Sequence, residues 1–199
     1  MAIRVLVIAK HDPAQAMFEA AALRVGRDTD TFAMRRCTAP GMLLDAVVSA
    51  VRTLNEPIGV LDLFAHGGSG RLHMGEPRES LLFSADGVSA GPGQALAARL
   101  SDFLTQDAHV RLLGCETALD ESGKRLLLSL QRAFGKSIVV YDALQAVRPS
   151  DFGVGGFLTS REEHTLFSST EAKELEDDEV APTYDERGDE LVVWRRRIG

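Results

Sequence analysis

The chain has 199 residues, of which 45% are hydrophobic and 26% charged, and it carries a formal net charge of −7. This length fits one domain that can bury a core without a disulfide or metal staple. The acidic balance disfavours a nucleic-acid-binding protein, which needs basic residues against the phosphates.

The first ten residues lack the features of an export signal. Met1–Lys10 contains a short apolar run around Arg4, without the basic start, long apolar stretch and small-residue cleavage site of a signal peptide. No window reaches the roughly 18 apolar residues of a membrane span. The two cysteines, Cys37 and Cys115, are too few for a disulfide framework. We therefore expect a cytoplasmic protein with reduced thiols and with neither a membrane nor a nucleic acid as partner.

The first part of the chain alternates short apolar runs with segments of helical periodicity. Runs that are apolar at nearly every position are typical of strands buried on both faces of a parallel sheet. They predict strands over Ile3–Ala9, Thr31–Arg36 and Ile58–Ala65. Apolar residues at helical spacing predict one helix that Pro13 begins and a second helix over Pro40–Leu54.

The same alternation continues after a predicted hairpin of Arg71–Met74 with Ser80–Ser84. Helix, strand, helix and strand follow it over Gly91–Leu104, Val110–Leu113, Asp120–Phe134 and Ser137–Tyr141. Repeated strand–helix alternation is typical of a mostly parallel central sheet with helices on both faces. The predicted fold class is therefore α/β, in three layers.

The pattern breaks after Asp142. Gly153–Gly156 is predicted to be flexible, Glu171–Glu179 is a charge run typical of a solvated segment, and Glu190–Arg195 is a candidate last strand that Trp194 would anchor. We predict a single domain over residues 1–199. Its core spans about residues 1–145, and residues 146–199 form a flexible, acidic segment with a terminal strand.

Two residues with catalytic chemistry follow two of the predicted strands. His66 closes Ile58–Ala65, and Cys115 follows Val110–Leu113, 49 positions later. In an open parallel sheet, ligands gather outside the carboxyl ends of the strands, and neighbouring strands lie about 4.8 Å apart. We therefore expect His66 and Cys115 to meet across a substrate.

This pair suits nucleophilic catalysis by a thiolate. A neighbouring imidazole lowers the pKa of a thiol or accepts its proton during the reaction. The backbone N–H of Gly67 can approach a substrate carbonyl closely, and the N–H of Cys115 lies just ahead of a predicted helix. Together the two N–H groups would form an oxyanion hole, worth about 3 kcal/mol per donor.

At these residues the sequence resembles the caspase-like (clan CD) cysteine peptidases, and most closely their bacterial, CHAT-type branch. The shared pattern begins with an apolar strand that ends in His-Gly, here LDLFAHGGSG over Leu61–Gly70. A hairpin follows, here RLHMG over Arg71–Gly75, and then a strand that ends in the nucleophile, here VRLLGCETA over Val110–Ala118. The resemblance covers Ile3–Asp142 and depends on order, spacing and hairpin together.

The resemblance implies a caspase-like fold and peptide-bond hydrolysis through an acyl-enzyme, without a cofactor or a metal. It implies that His66 is the general base and Cys115 the nucleophile, and that the N–H groups of Gly67 and Cys115 hold the oxyanion. A protein substrate is the implied partner.

The chain departs from the caspase signature Gln-Ala-Cys-x-Gly, because Leu113-Gly114-Cys115-Glu116-Thr117 stands there. Cleavage after Asp is therefore not indicated. Relatives of the separase and CHAT kind place a substrate-binding acid just after the next strand, where this chain has Asp142 in VVYDALQ. The resemblance thus implies a basic residue before the scissile bond, bound by Asp142.

Three other kinds of site are open as alternatives. Gly87–Gly91 (GVSAG) matches the nucleophile elbow of serine hydrolases, with Ser89 as nucleophile, but no predicted strand leads directly into it. A phosphate-binding loop at Gly67–Gly70 lacks the Walker lysine. A metal site has no motif spacing in its favour and would need four side chains to converge, those of His11, His66, His73 and Cys115.

The main alternative to a peptidase is a catalytically silent binding or regulatory module with the same fold. The presence of both catalytic residue types favours the enzyme. A cytoplasmic peptidase must be restrained, so we expect a regulatory or activating protein partner, a proenzyme state or a narrow substrate. Gly153–Glu179 is a candidate control segment, with Arg148 and Arg161 as candidate sites of self-cleavage.

Overall fold

Strands and helices alternate along the chain in the computed structural model. It describes residues 2–10, 15–25, 32–75, 81–85, 92–135, 137–153, 156–157, 166–177, 183–184 and 190–191. The strands are β1 (Ile3–Ala9), β2 (Phe32–Cys37), β3 (Ile58–Phe64), β4 (His66–Gly68), β5 (Arg71–His73), β6 (Leu81–Ser84), β7 (Leu104–Leu113), β8 (Val139–Ala143), β9 (Phe152–Gly153), β10 (Gly156–Phe157), β11 (Leu166–Ser168), β12 (Thr183–Tyr184) and β13 (Glu190–Leu191).

The helices fill the intervals between these strands. They are α1 (Gln15–Val25), α2 (Leu43–Leu54), α3 (Pro92–Ser101), α4 (Glu121–Phe134) and α5 (Ser169–Asp177), with short 3-10 helices at Pro40–Met42 and Pro149–Asp151. Within the described ranges, no helix has both the length and the apolar character needed to cross a membrane.

Six of the described strands form the central sheet, in the order β11-β8-β7-β3-β1-β2. The neighbours from β2 through β1, β3 and β7 to β8 are parallel, and β11 joins β8 antiparallel at one edge. This arrangement confirms the predicted α/β class with a mostly parallel central sheet.

The direction of the crossovers explains why helices cover both faces of the sheet. The chain steps from β1 to β2 in one direction and from β2 back past β1 to β3 in the other. Because parallel crossovers are almost always right-handed, α1 lies on one face and α2, α3 and α4 lie on the opposite face. The contacts agree, since α1 packs on β1 while α2, α3, α4 and α5 contact one another in a row.

The central strands are apolar on both sides because both of their faces are covered. Leu61 and Leu63 of β3, and Val110 and Leu112 of β7, have no exposed surface. Burying a side chain of this size stabilises the fold by about 1.5–3 kcal/mol. The continuous apolar runs in the sequence therefore reflect a strand with two buried faces.

The predicted hairpin forms a second, three-stranded sheet next to the carboxyl end of β3. Strand β4 pairs with β5, and β5 pairs with β6, both antiparallel. The strand predicted over Ile58–Ala65 ends at Phe64, and His66 begins β4. His66 is therefore the first residue of the hairpin, two residues beyond the end of the buried strand. Ser80 lies outside the described residues.

The acidic run Glu171–Glu179 differs from the prediction of a solvated segment. Residues through Asp177 belong to α5, which packs against α4 and β8, and its Ala172 is fully buried. Glu171 Oε2 accepts from the N–H of Ser168, and Ser168 Oγ accepts from the N–H of Glu171. These reciprocal bonds have the pattern of a capping box, which satisfies backbone donors at the start of a helix.

Two further pairs of short strands follow β8. The ends of the segment predicted to be flexible, Gly153 and Gly156, pair with each other where β9 meets β10. Strand β13, at Glu190–Leu191, pairs with β12 and not with the central sheet. The rest of the predicted last strand, including Trp194, lies outside the described residues.

Candidate active site

The carboxyl ends of β3 and β7 bring His66 and Cys115 to the same level of the sheet. The two strands are parallel neighbours, and the matched residues from Val60 with His109 to Phe64 with Leu113 all differ by 49 positions. His66 and Cys115 differ by the same 49 positions, and each follows its strand by two residues. The predicted pair therefore lies on adjacent chain segments at one edge of the sheet.

Gly67 lies directly against the backbone of Cys115. A Cβ atom built on Gly67 would lie 2.7 Å from both N and O of Cys115, and it would overlap Cγ2 of Thr117. No L side chain fits this space, so the glycine is required by the close approach of the two segments. The two residues predicted to form the oxyanion hole are thus neighbours.

Cys115 lies in a tight turn and not at the start of a helix, because α4 begins only at Glu121. The turn, which we call the Cys115 turn, spans Gly114–Ala118. Three backbone N–H groups tie it to its surroundings: Gly70 to Thr117 O (2.8 Å), Ala118 to Ala143 O (2.9 Å) and Glu116 to Gln145 O (3.3 Å). The Cys115 turn is therefore fastened to the hairpin on one side and to the end of β8 on the other.

Glu116, the residue after Cys115, has a left-handed backbone with φ of 55°. For a residue with a side chain, this conformation costs about 1–2 kcal/mol. Such strain persists only where surrounding contacts impose it, and it is frequent at functional sites. The Cys115 turn therefore holds its shape against a local backbone preference.

An aromatic cluster orients His66. Its ring lies 5.4 Å from the ring of Phe18 on α1, in an edge-on arrangement. Phe18 in turn packs edge-on against Phe64 at 4.8 Å, and Phe64 contacts Phe152 at 4.8 Å. Phe18, Phe64 and Phe152 are buried, whereas His66 is exposed. One side of the imidazole thus rests on the core while the remainder meets solvent.

His73 lies opposite His66 in the antiparallel pairing of β4 with β5. Residues in this relation have Cβ atoms about 5 Å apart. Burial lowers the pKa of His73, and the positive charges of Arg71 and His66 lower it further. His73 therefore favours its neutral form.

A buried ion pair lies between the same two strands, deeper in the sheet. Arg111 Nε lies 2.5 Å from Asp62 Oδ1, and Arg111 Nη2 lies 2.6 Å from Asp62 Oδ2. Both side chains are nearly inaccessible, at 2% and 0% exposure. Arg4 is close enough for Asp62 to raise its pKa, although burial has the larger effect and lowers the pKa overall.

Asp142, the predicted substrate-binding acid, is fully buried on β8. Its Oδ1 accepts from the hydroxyl of Thr117 and from the N–H of Ala143 at 3.0 Å. Its Oδ2 has no hydrogen-bond partner among the described residues. Burial raises the pKa of Asp142 well above its ordinary value. Asp142 therefore lies beneath the Cys115 turn with no surface open to a substrate.

The two cysteines have different environments. Cys37, at the end of β2, is fully buried, and burial raises the pKa of its thiol to about 12. Cys115 is partly exposed. Only the thiolate form of a cysteine is an effective nucleophile, so the environment of Cys37 makes it inert while Cys115 is accessible to reagents.

The described residues offer little to the alternative sites. They contain no group of three or more His, Cys, Asp or Glu side chains arranged to hold a metal ion, and His11 lies outside them. The candidate serine elbow at Gly87–Gly91 also lies outside the described residues.

Sequence reasoning did not identify four residues that build this edge of the sheet. Phe18 carries no signal that places it against His66. Thr117 meets Asp142 only through the pairing of β7 with β8. The partnership of Asp62 with Arg111 has a signal, because two opposite charges inside apolar strands are separated by the same 49 positions as the predicted catalytic pair.

The fold and the site define a three-layer α/β protein with a histidine and a cysteine at the carboxyl ends of neighbouring parallel strands. The chain belongs to the family described as Domain of unknown function (DUF4347), which it matches over residues 38–145. This match covers more than half of the chain and contains His66, Gly67, Cys115 and Asp142. No curated protein matches the chain.

Proposed function

We propose that this protein is a caspase-like cysteine endopeptidase in which His66 and Cys115 form the catalytic dyad. The observation that carries the proposal is the register of β3 and β7, which sets both residues at one level of the sheet. The contact of Gly67 with the Cys115 backbone adds to it, because it joins the two segments that would hold the oxyanion.

In the proposed reaction, His66 accepts the proton of the Cys115 thiol, and the thiolate attacks the carbonyl carbon of the scissile peptide bond. The carbonyl π electrons move to oxygen and give a tetrahedral oxyanion. The N–H groups of Gly67 and Cys115 stabilise this negative charge, by about 3 kcal/mol for each well-placed donor.

The tetrahedral species then collapses, and the C–N bond breaks. The imidazolium of His66 donates its proton to the leaving amine, and the acyl group stays on Cys115 as a thioester. A water molecule gives its proton to His66 and attacks the thioester. The second tetrahedral species collapses, the C–S bond breaks and the carboxylic acid product leaves. The imidazolium of His66 returns its proton to the sulfur, which restores the thiol of Cys115.

A basic residue before the scissile bond remains the predicted specificity. Asp142 Oδ2, which has no hydrogen-bond partner among the described residues, supports it, because a cationic side chain would complete the bonding of this oxygen. The burial of Asp142 adds a condition: the Cys115 turn must move before a lysine or arginine can reach the carboxyl. The specificity would then be coupled to an opening of the turn.

The proposal places the enzyme in the cytoplasm, where a reducing environment would keep Cys115 a thiol. A regulatory protein partner would restrain it there. Arg148, a candidate site of self-cleavage, is exposed at the start of the 3-10 helix Pro149–Asp151, where a peptidase can reach it. The second candidate, Arg161, lies outside the described residues.

Labelling with acyloxymethyl-ketone probes tests the proposal. A panel of probes with Lys, Arg or another residue at P1, the position before the scissile bond, is incubated with wild type, Cys115→Ala, His66→Ala and His73→Ala. Intact mass and peptide mapping identify the adduct. We expect one adduct on Cys115 in wild type and in His73→Ala, and none without Cys115 or His66.

His73→Ala is the matched control, since it removes a histidine from the neighbouring strand and leaves the proposed dyad intact. An adduct that persists in His66→Ala would contradict a dyad. No adduct with any probe, in a protein that is folded by circular dichroism, would contradict the peptidase and favour a binding module with the same fold.

A further inference from the structure

We propose that Thr117 is a positioning residue: held by Asp142, it fixes the Cys115 turn against the strand that carries His66. This inference rests on the proposed function, since it assigns a role in the same site. Thr117 would not touch the substrate and would act through the position of Cys115.

Thr117 connects the strand β8 to the segments that carry His66 and Cys115, and the first set of contacts joins it to β8. Thr117 is fully buried, and its hydroxyl donates to Oδ1 of Asp142. The same hydroxyl oxygen accepts from the N–H of Ala143 at 3.3 Å. The Ala118 N–H adds a backbone bond to Ala143 O at 2.9 Å. Thr117 is thus attached to a strand of the central sheet and not to a mobile surface.

The second set of contacts joins Thr117 to the two segments that carry His66 and Cys115. Its Cγ2 occupies the space beside Gly67 and lies 3.0 Å from a Cβ built on Gly114. Its carbonyl oxygen accepts from the N–H of Gly70 at 2.8 Å. One side chain therefore contacts both the residue after His66 and the residue before Cys115, so its position determines how the two segments meet.

The Cys115 turn needs such an anchor. Glu116 holds a left-handed backbone that it would leave if the contacts were loosened. Asp142 Oδ2 is a buried side-chain oxygen without a hydrogen-bond partner among the described residues, and Oδ1 of the same carboxyl is bound to Thr117 of this turn. Unsatisfied polar groups and backbone strain both favour rearrangement, and the bond from Thr117 to Asp142 opposes it.

The chemistry of the contact requires an oxygen acceptor at position 142 and a hydroxyl at position 117. A neutral carboxyl, a carboxylate and an amide all present such an oxygen. Burial favours the neutral form of Asp142. An asparagine should therefore preserve the contact, whereas a valine at position 117 keeps the shape of threonine and loses the bond.

The test compares wild type with Thr117→Val, Asp142→Ala and Asp142→Asn by two measurements. Hydrogen exchange of the Gly70 and Ala118 amides reports on the turn itself, with the Leu63 amide in β3 as the reference for global unfolding. The rate of Cys115 alkylation by iodoacetamide reports on the thiol, with His66→Ala defining the rate without the dyad.

We expect Thr117→Val and Asp142→Ala to speed exchange at Gly70 and Ala118 by about tenfold relative to Leu63, as for the loss of one buried hydrogen bond. Alkylation of Cys115 should slow towards the His66→Ala rate. Asp142→Asn should stay within about threefold of wild type in both measurements, because the acceptor is kept.

Unchanged exchange at Gly70 and Ala118 in Thr117→Val would overturn the inference, as would an Asp142→Asn variant as impaired as Asp142→Ala. Hydrogen exchange needs no catalysis. Equal alkylation of wild type and His66→Ala would therefore refute the dyad, while the exchange measurement still decides whether Thr117 holds the turn.

Discussion

Asp62 and Arg111 form a buried two-point ion pair between β3 and β7, at the same sequence separation of 49 as His66 and Cys115. A shift of one residue between the strands would break this pair and separate two opposite charges in the core. The free-energy penalty would be several kcal/mol. The ion pair therefore selects the register that brings the proposed dyad to one level.

Loss of Asp62 should destabilise the fold strongly. Asp62→Leu removes the carboxylate that Arg111 binds through two nitrogens and that lies near Arg4, so we expect the free energy of unfolding to fall by about 3–5 kcal/mol in urea titrations. The double variant Asp62→Leu with Arg111→Met should recover most of this loss, because a buried pair can be replaced by apolar residues of similar volume. A double variant no more stable than the single one would refute this account.

Gly67 and Gly68 should differ sharply in their tolerance of a methyl group. Gly67→Ala forces a Cβ into the Cys115 backbone, so we expect loss of probe labelling and a destabilisation of about 1–3 kcal/mol. Gly68→Ala is the control, since a Cβ there has no neighbour within 4 Å in the part of the chain that the structure describes. Probe-labelling rates and urea unfolding are measured for both variants. Equal labelling rates and equal stabilities for Gly67→Ala and Gly68→Ala would contradict the prediction.

Alanine variants are usually more stable than glycine variants, and this order should reverse at position 116. Because φ at Glu116 is 55°, Glu116→Gly should be more stable than Glu116→Ala by about 1 kcal/mol. Glu121 lies in the first turn of α4, and there the Glu121→Ala variant should be more stable than the Glu121→Gly variant by about 0.5–1 kcal/mol. Thermal unfolding of the four variants measures both differences, and the same order at both positions would show that the turn is unstrained.

The buried carboxyl of Asp142 should make stability depend on pH. Its pKa is raised in the folded state above the ordinary value of 3.8, so the folded protein binds more protons than the unfolded chain in the interval between the two pKa values. Stability should therefore fall as pH rises above about 4, by up to about 1.4 kcal/mol per pH unit.

Asp142→Asn removes this titration. Its stability relative to wild type should increase as the pH rises above about 4, measured as the difference in the free energy of unfolding in urea. A difference that stays constant over this range would mean that burial does not perturb the carboxyl.

Only one of the two thiols should react while the protein is folded. Burial and a pKa of about 12 keep Cys37 from forming a thiolate at neutral pH, whereas Cys115 is partly exposed. Iodoacetamide should therefore add once to the native chain and twice in denaturant, as counted by intact mass. A native double adduct would indicate that β2 opens.

Much of the fold was predictable because the central strands read as continuous apolar runs. The runs around Leu63 and Leu112 place β3 and β7, and the alternation with helices is sufficient for the α/β class. The placement of His66 and Cys115 at the carboxyl ends of neighbouring strands followed from strand ends and spacing alone. Helix α5 was not predicted, because the acidic composition of its segment indicated a solvated loop. Two features that mark the helix were overlooked: the capping box of Ser168 with Glu171, and the buried Ala172.

The supporting contacts could not be predicted in the same way. Thr117 meets Asp142 only because β8 pairs with β7 in one register, which the sequence does not encode locally. The burial of Asp142 depends on the Cys115 turn closing over it. Phe18 reaches His66 across a crossover whose face is set by the strand order. Each contact is a property of the tertiary structure, whereas strand and helix patterns are local.

The separation of the two cysteines has a consequence for oxidation. Cys37 ends β2 and Cys115 follows β7, with β1 and β3 between these strands, so the thiols are about 14 Å apart at a strand spacing of about 4.8 Å. A disulfide requires Cα atoms within about 7 Å. A sulfenic acid formed on Cys115 by peroxide would thus find no resolving thiol in its own chain. Its repair would depend on a thiol supplied from outside, which would make the proposed enzyme responsive to the redox state of its surroundings.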